Sequence, residues 1–222
     1  MGIKSKSELE NKILAETKNL VASELHNTLQ VWLANVIIKT NNYVSDVRLE
    51  DNFNSDYYGS KLWPADITIE YEMNGRKRFE VIEVETIPIP RVANRINNIG
   101  GKAARSAVAE LSDKRFYEEG TRWNRTKYDR MDFSVCFNAT GVYGIRKVTI
   151  QEITDNIYKN MYWEMSKFVG LKSFPNNFRL NNMYFILNSH ALDIGHYSGI
   201  INKGYLNAFM YHRFPMRPVL LH

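Results

Sequence analysis

The sequence predicts an α/β fold in which a mixed central β-sheet is flanked by helices. Three observations predict it. The first 40 residues place apolar side chains at helical spacing, residues 66–85 alternate about an Asn-Gly pair as a hairpin does, and helix-like and strand-like segments then follow one another. With 222 residues and 44% apolar content the chain can bury a full core, so a single domain is expected. It would comprise an N-terminal helical part (1–40), a core of about 60–190 and a C-terminal extension (191–222).

Residues 7–38 carry Leu9, Ile13, Leu14, Leu20, Val21, Leu25, Leu29, Leu33 and Val36 at helical spacing, with Ser7 and Glu10 matching a capping box. This is one long helix or two in sequence. Residues 40–63 are rich in Asn, Asp, Ser and Tyr with little periodicity and read as an irregular connection. "DITIEYEM" then alternates, Asn74-Gly75 is a two-residue turn signal, and "RKRFEVIEVET" returns as the partner strand. After the prolines of "IPIP", residues 91–112 have helical periodicity interrupted by Gly100-Gly101. A polar, basic stretch follows at 113–131, then a core strand in "DFSVCFNATGVYGI", a helix at about 149–169, the strand "MYFILNS" and a C-terminal stretch of mixed character.

Composition bounds the function. The 29 Lys and Arg exceed the 24 Asp and Glu, giving a formal charge of +5 that favours an anionic partner. The single cysteine, Cys136, cannot form an internal disulfide and reads as a buried strand residue. No apolar run approaches the roughly 20 residues of a membrane helix, the N-terminus has no apolar signal core, and Gly2 with Ser5-Lys6 matches an acylation signal only in part. No membrane association and a cytoplasmic location are therefore expected. Neither a Walker loop nor G-x-S-x-G occurs, and His190, Asp193 and His196 have no Cys or His cluster to complete a zinc site.

The informative residues are acidic. In the strand 79–85, Phe79, Val81, Glu83 and Glu85 share one face, because successive side chains alternate. With the turn at Asn74-Gly75, strict pairing sets Asp66 of "PAD" beside Glu83, so three carboxylates converge. Such glutamates can also decorate a solvated sheet face, paired with Arg76 or Arg78; Asp66 and the hairpin geometry favour a site. Close like charges need neutralising, and a hard divalent cation suits an all-oxygen cluster. Mg²⁺ fits, since it keeps positions open for water and phosphate oxygens, polarises a phosphodiester and eases deprotonation of a nucleophilic water.

"PAD", followed 17 residues after Asp66 by "EVE", resembles the PD-(D/E)xK nuclease superfamily. The run "IEVETIPIPRVANRINN" is similar to type II restriction endonucleases whose site carries E-x-E-T, with Glu85 standing where the common form has Lys. The resemblance covers about 40 residues, Trp63 to Lys102. It implies a restriction-endonuclease-like core and a homodimer that cuts double-stranded DNA at a palindrome. It further implies Asp66 and Glu83 as metal ligands with the Val84 carbonyl, and Glu85 as general base or ligand of a second metal. Glu24, or Glu16, would complete the shell. Rival readings are a structure-selective junction or repair nuclease on the same core, and a non-catalytic DNA-binding protein in which the missing Lys reflects lost chemistry.

Two basic stretches could hold DNA. In a helix after Pro90, Arg91, Arg95, Asn98, Lys102 and Arg105 form one stripe beside apolar Val92, Ile96, Ile99 and Ala103. That face would meet phosphates, solvent or a dimer mate. Between 114 and 130, Lys114, Arg115, Arg122, Arg125, Lys127 and Arg130 outnumber Glu118, Glu119 and Asp129, with Trp123 and Tyr128 interleaved. Such a loop suits a DNA groove or simply solvent; Arg213 and Arg217 are a poorer third candidate.

Overall fold

A computed structural model describes residues 4–20, 22–54, 62–85, 116, 127–138, 155–156, 159–160, 177–186 and 209–213. Within them lie two α-helices, α1 (Lys6–Glu16) and α2 (Glu24–Thr40), and six strands: β1 (Val44–Asn54), β2 (Leu62–Met73), β3 (Arg76–Glu85), β4 (Arg130–Asn138), β5 (Phe178–Ile186) and β6 (Phe209–Arg213). The strands form one sheet in sequential order. β1, β2 and β3 are mutually antiparallel, β3, β4 and β5 run parallel, and β6 returns antiparallel to β5. The molecule is thus α/β with a mixed sheet, as its pattern of elements predicts. Among the described residues no helix is long and apolar enough to cross a membrane.

The N-terminal helical run divides in two. Thr17–Asn19 tightens into a 3-10 turn, Leu20 turns extended, and Ser23 caps a new helix by accepting from the His26 amide at 3.3 Å. The capping box is formed by Ser5 and Glu8, not by Ser7 and Glu10. Both serines satisfy the spacing; the earlier start lets Lys4 reach Asp46 on β1 and Lys6 reach the Lys39 carbonyl, contacts that sequence spacing cannot show.

The irregular connection expected over 40–63 is overturned by β1. A register shift between Val44 and Asp46 puts Val44 and Val47, three apart, into the same core, which erases the two-residue period. β5 likewise begins before "MYFILNS". Phe133 pairs with Leu180 and Val135 with Met183, so Asn181 and Asn182 together oppose Ser134, and this bulge hides the strand's polar half from the alternation test.

The hairpin stands as read. Asn74 and Gly75 take φ of 53° and 77°, the two left-handed residues of a type I′ turn, and the ladder runs from Met73↔Arg76 to Ile67↔Ile82. Ile67, Ile69, Tyr71, Ile82, Val84 and Cys136 pack with Val44, Val47 and Leu49 against α1 and α2. Cys136 is buried, and both that burial and the charge of Asp66 push its thiol pKa up. On the opposite face, Phe79 stacks with Phe116 and Tyr128, beside buried Val81, Met131, Phe133 and Val135. With both faces covered, β3 is buried continuously from Phe79 to Glu85.

Residues 155–156 and 159–160 are helical, inside the helix expected at 149–169. The helix expected over 91–112, with Arg91, Arg95 and Lys102, lies outside the described residues, as do Arg122, Arg125, His190, Asp193, His196 and Arg217.

Candidate functional site

The parallel strands β3, β4 and β5 end on one edge of the sheet, and the start of β2 and the capped start of α2 lie there too. Ends of parallel strands are where open α/β sheets usually take ligands. Ladder pairing stops at Ile67↔Ile82. One step further, Asp66 Oδ2 accepts the Val84 N–H at 2.6 Å, so a carboxylate occupies the place of the next interstrand bond. Asp66 is 7%, Glu83 1% and Glu85 8% exposed, which makes a solvated decoration of the sheet the wrong account of these acids. Arg78, offered as their surface partner, instead binds Glu80 and Asp132 near the other end of β3.

Two elements outside the hairpin reach the same place. His26 Nε2, held in the first turn of α2 by the Ser23 cap, donates to the Val84 carbonyl at 3.1 Å and stands 3.4 Å from Asp66 Oδ2. One turn later Gln30 Nε2 donates to Glu50 Oε1 at 2.7 Å and to the Asp66 carbonyl at 3.2 Å. Glu50 has φ of 49°, a left-handed backbone that costs a non-glycine residue about 1–2 kcal/mol. It breaks the alternation of β1: Glu50 turns to Gln30 on α2, and the next residue, Asp51, receives the Thr68 hydroxyl at 2.8 Å.

His26, Glu50 and Asp66 each offer a ligand atom, all within 4.8 Å of one another, and neither Glu83 nor Glu85 belongs to that group. The donors fit a divalent ion: carboxylates from two adjacent strands, an imidazole, and the Val84 carbonyl beside it. Of the helix acids considered, Glu16 is committed elsewhere, accepting the Leu49 N–H at 2.7 Å; burial pushes its carboxyl up, against that bond. The side chain of Glu24 lies outside the described residues.

Comparison with protein families, curated proteins and solved structures gives no match.

Of the basic candidates that are described, Lys127 and Arg130 sit at the far end of the sheet, while the backbone of Arg213 pairs with Asn182 of β5. Arg130 pairs in register with Arg78, seven positions before Phe137, which faces Glu85; at about 3.3 Å per residue that is roughly 23 Å from the glutamates. Arg130 Nε binds Asp132 at 2.7 Å, Lys127 is exposed, and Tyr128 stacks on Phe79 and Phe116. Tyr128 therefore packs against β3. The sequence reading missed His26, Gln30 and Glu50. The i, i+4 spacing of His26 and Gln30, which puts both on one face of α2, was an available signal; Glu50 lay in a strand that was not recognised.

Proposed function

We propose that the chain is a metal-dependent endonuclease of double-stranded DNA, of the type II restriction class that its E-x-E-T run resembles. The observation that carries this reading is the point where β2 and β3 part, with the Asp66 carboxylate inserted and Glu83 and Glu85 buried on the next strand. Burying several carboxylates together is costly, and a cation shared among them would offset that cost.

Asp66, Glu83 and the Val84 carbonyl would hold Mg²⁺, with Glu50 joining them from β1. When bound, the ion would polarise the phosphodiester and ease loss of a proton from water. The chain's own groups do the rest. Glu85 accepts the proton of the attacking water, the in-line attack leaves a 5′-phosphate and a 3′-hydroxyl, and Gln30 keeps Glu50 aimed by its amide donor. Arg91 and Arg95, a few residues beyond Glu85, would contact the flanking phosphates.

Digestion of a mapped linear DNA with Mg²⁺, followed by sequencing of the ends, tests this. Discrete bands are expected, and Asp66→Asn or Glu83→Gln should lower the single-turnover rate by about 10²–10⁴-fold while DNA binding persists. Cutting confined to junctions would favour the structure-selective reading. No cutting with any divalent ion, or parental rates in both variants, would overturn the proposal.

A further inference from the structure

We propose that His26, Glu50 and Asp66 form a site for a divalent transition ion of the Mn²⁺, Co²⁺ or Zn²⁺ class, with His26 Nε2 as its nitrogen ligand. The site deepens the nuclease reading by adding a nitrogen ligand that favours these ions over Mg²⁺. It rests on that reading only for the claim that the ion serves cleavage; the binding itself stands on the residues.

Ions of this class hold nitrogen and oxygen donors at about 2.0–2.2 Å, so neighbouring donors lie roughly 3–4 Å apart. The three ligand atoms already lie within 4.8 Å of one another, so the longest separation must close by no more than about 1–2 Å to reach that spacing. Mg²⁺ takes oxygen donors and sheds its water reluctantly, whereas imidazole suits the later divalent ions. A histidine in the cluster therefore biases the choice of metal.

A second observation comes from Gln30. Its side chain is fully buried and its Nε2 joins Glu50 to the Asp66 carbonyl, so the amide lies against the cluster. Its Oε1 is buried with no hydrogen-bond partner among the described residues. A buried acceptor of this kind is satisfied by an ion or by water ordered around one.

Ligation has a definite proton balance. A carbonyl only accepts, so the 3.1 Å hydrogen bond to Val84 requires the tautomer with the proton on His26 Nε2. To bind an ion it must present its lone pair: in the neutral ring the proton moves to Nδ1, and in the imidazolium, where Nδ1 is already protonated, the Nε2 proton is released to solvent; either way the Val84 carbonyl is freed as an oxygen donor.

The test uses the full chain, stripped with chelator and titrated with Mn²⁺ alone or Mg²⁺ alone, with pulsed EPR of the Mn²⁺ form. One Mn²⁺ should bind roughly tenfold or more tightly than Mg²⁺, and the EPR should show coupling to an imidazole nitrogen. His26→Ala should lose that coupling and bring the two affinities together. His26→Asp, which keeps a ligand but makes it oxygen, should bind Mg²⁺ at least as well as the parent and serves if the alanine variant fails to fold. Absence of nitrogen coupling, or an unchanged Mn²⁺-to-Mg²⁺ ratio in the folded variants, would overturn the proposal. The two readings fail separately. Nitrogen-coupled Mn²⁺ without DNA cleavage by any ion would sink the nuclease and leave the site, while Mg²⁺-driven cleavage without nitrogen coupling would do the reverse.

Discussion

Glu85 stands where the nuclease triplet that this run resembles has lysine, and under the proposed function its chemistry can be separated from that of lysine by substitution. Lysine would orient an attacking water by donating to it; Glu85 must accept a proton or bind metal. Under the proposed function, Glu85→Ala should be nearly inactive, and Glu85→Lys should keep more activity with an altered metal preference. Single-turnover rates decide this, and a fully active alanine variant would remove Glu85 from the site. Asp46 illustrates a residue whose role is structural. Burial works against its ionisation, but hydrogen bonds from Lys12 and Lys4 outweigh it and hold its carboxyl down to about 2 from an ordinary 3.8. A depressed acid stabilises the fold above its unfolded pKa. The contribution, about 1 kcal/mol after allowing for solvent screening, is therefore present above about pH 4 and lost as pH falls through 2. Urea unfolding of the parent and Asp46→Asn should show a gap that closes between pH 5 and pH 2; a gap independent of pH would contradict this.

At the scale of elements, the hairpin and the β3–β4 pair can be tested independently of function. A Cβ added at Gly75 would meet nothing within 4 Å, so Gly75→Ala should cost only the strain of its φ of 77°, about 1–2 kcal/mol, with the site unaffected. A larger loss would mean that the turn has a contact not accounted for. Arg78 joins β3 to β4. It binds Asp132, donates to Glu80 at 2.7 Å and lies 4.4 Å over the Tyr71 ring, while Tyr71 and Ser134 also donate to Glu80. Burial raises the Asp132 pKa, and the Arg78 charge offsets that only in part. Since Glu80 and Asp132 are fully buried, Arg78→Ala should destabilise by about 3–5 kcal/mol, read from chemical denaturation. A loss below about 1 kcal/mol would show that water or Arg130 replaces it.

At the scale of the whole molecule, one catalytic centre cuts one strand, so a symmetric double-strand cut calls for two chains related by a twofold axis. Under the proposed function, light scattering should report a dimer, at least with DNA present. A monomer in both states would favour the repair-nuclease reading. Loss of Arg91 or Arg95 should flatten the dependence of log affinity on log salt by just under one unit per phosphate contact. An unchanged slope would assign that face to solvent or to the partner chain.

The hairpin was legible because its determinants are local. Asn74-Gly75 requires left-handed backbone at both turn positions, and a two-residue turn sets the register as far as Ile67↔Ile82, one step short of Asp66, whose carboxylate instead accepts the Val84 N–H. The split of β3 into two faces follows from the same period, and the burial of Cys136 from its apolar neighbours. Tertiary structure decided the rest. β1 was hidden by a bulge, β5 by two asparagines opposite one serine, and the choice of Ser5 over Ser7 was made by contacts to residues more than 30 positions away. His26, Gln30 and Glu50 meet Asp66 only because α2 packs its first turns over the edge of the sheet where β2 and β3 separate. Local sequence sets turns and alternation; which helix lies over which strand end depends on burying the apolar face of α2, a property of the whole core.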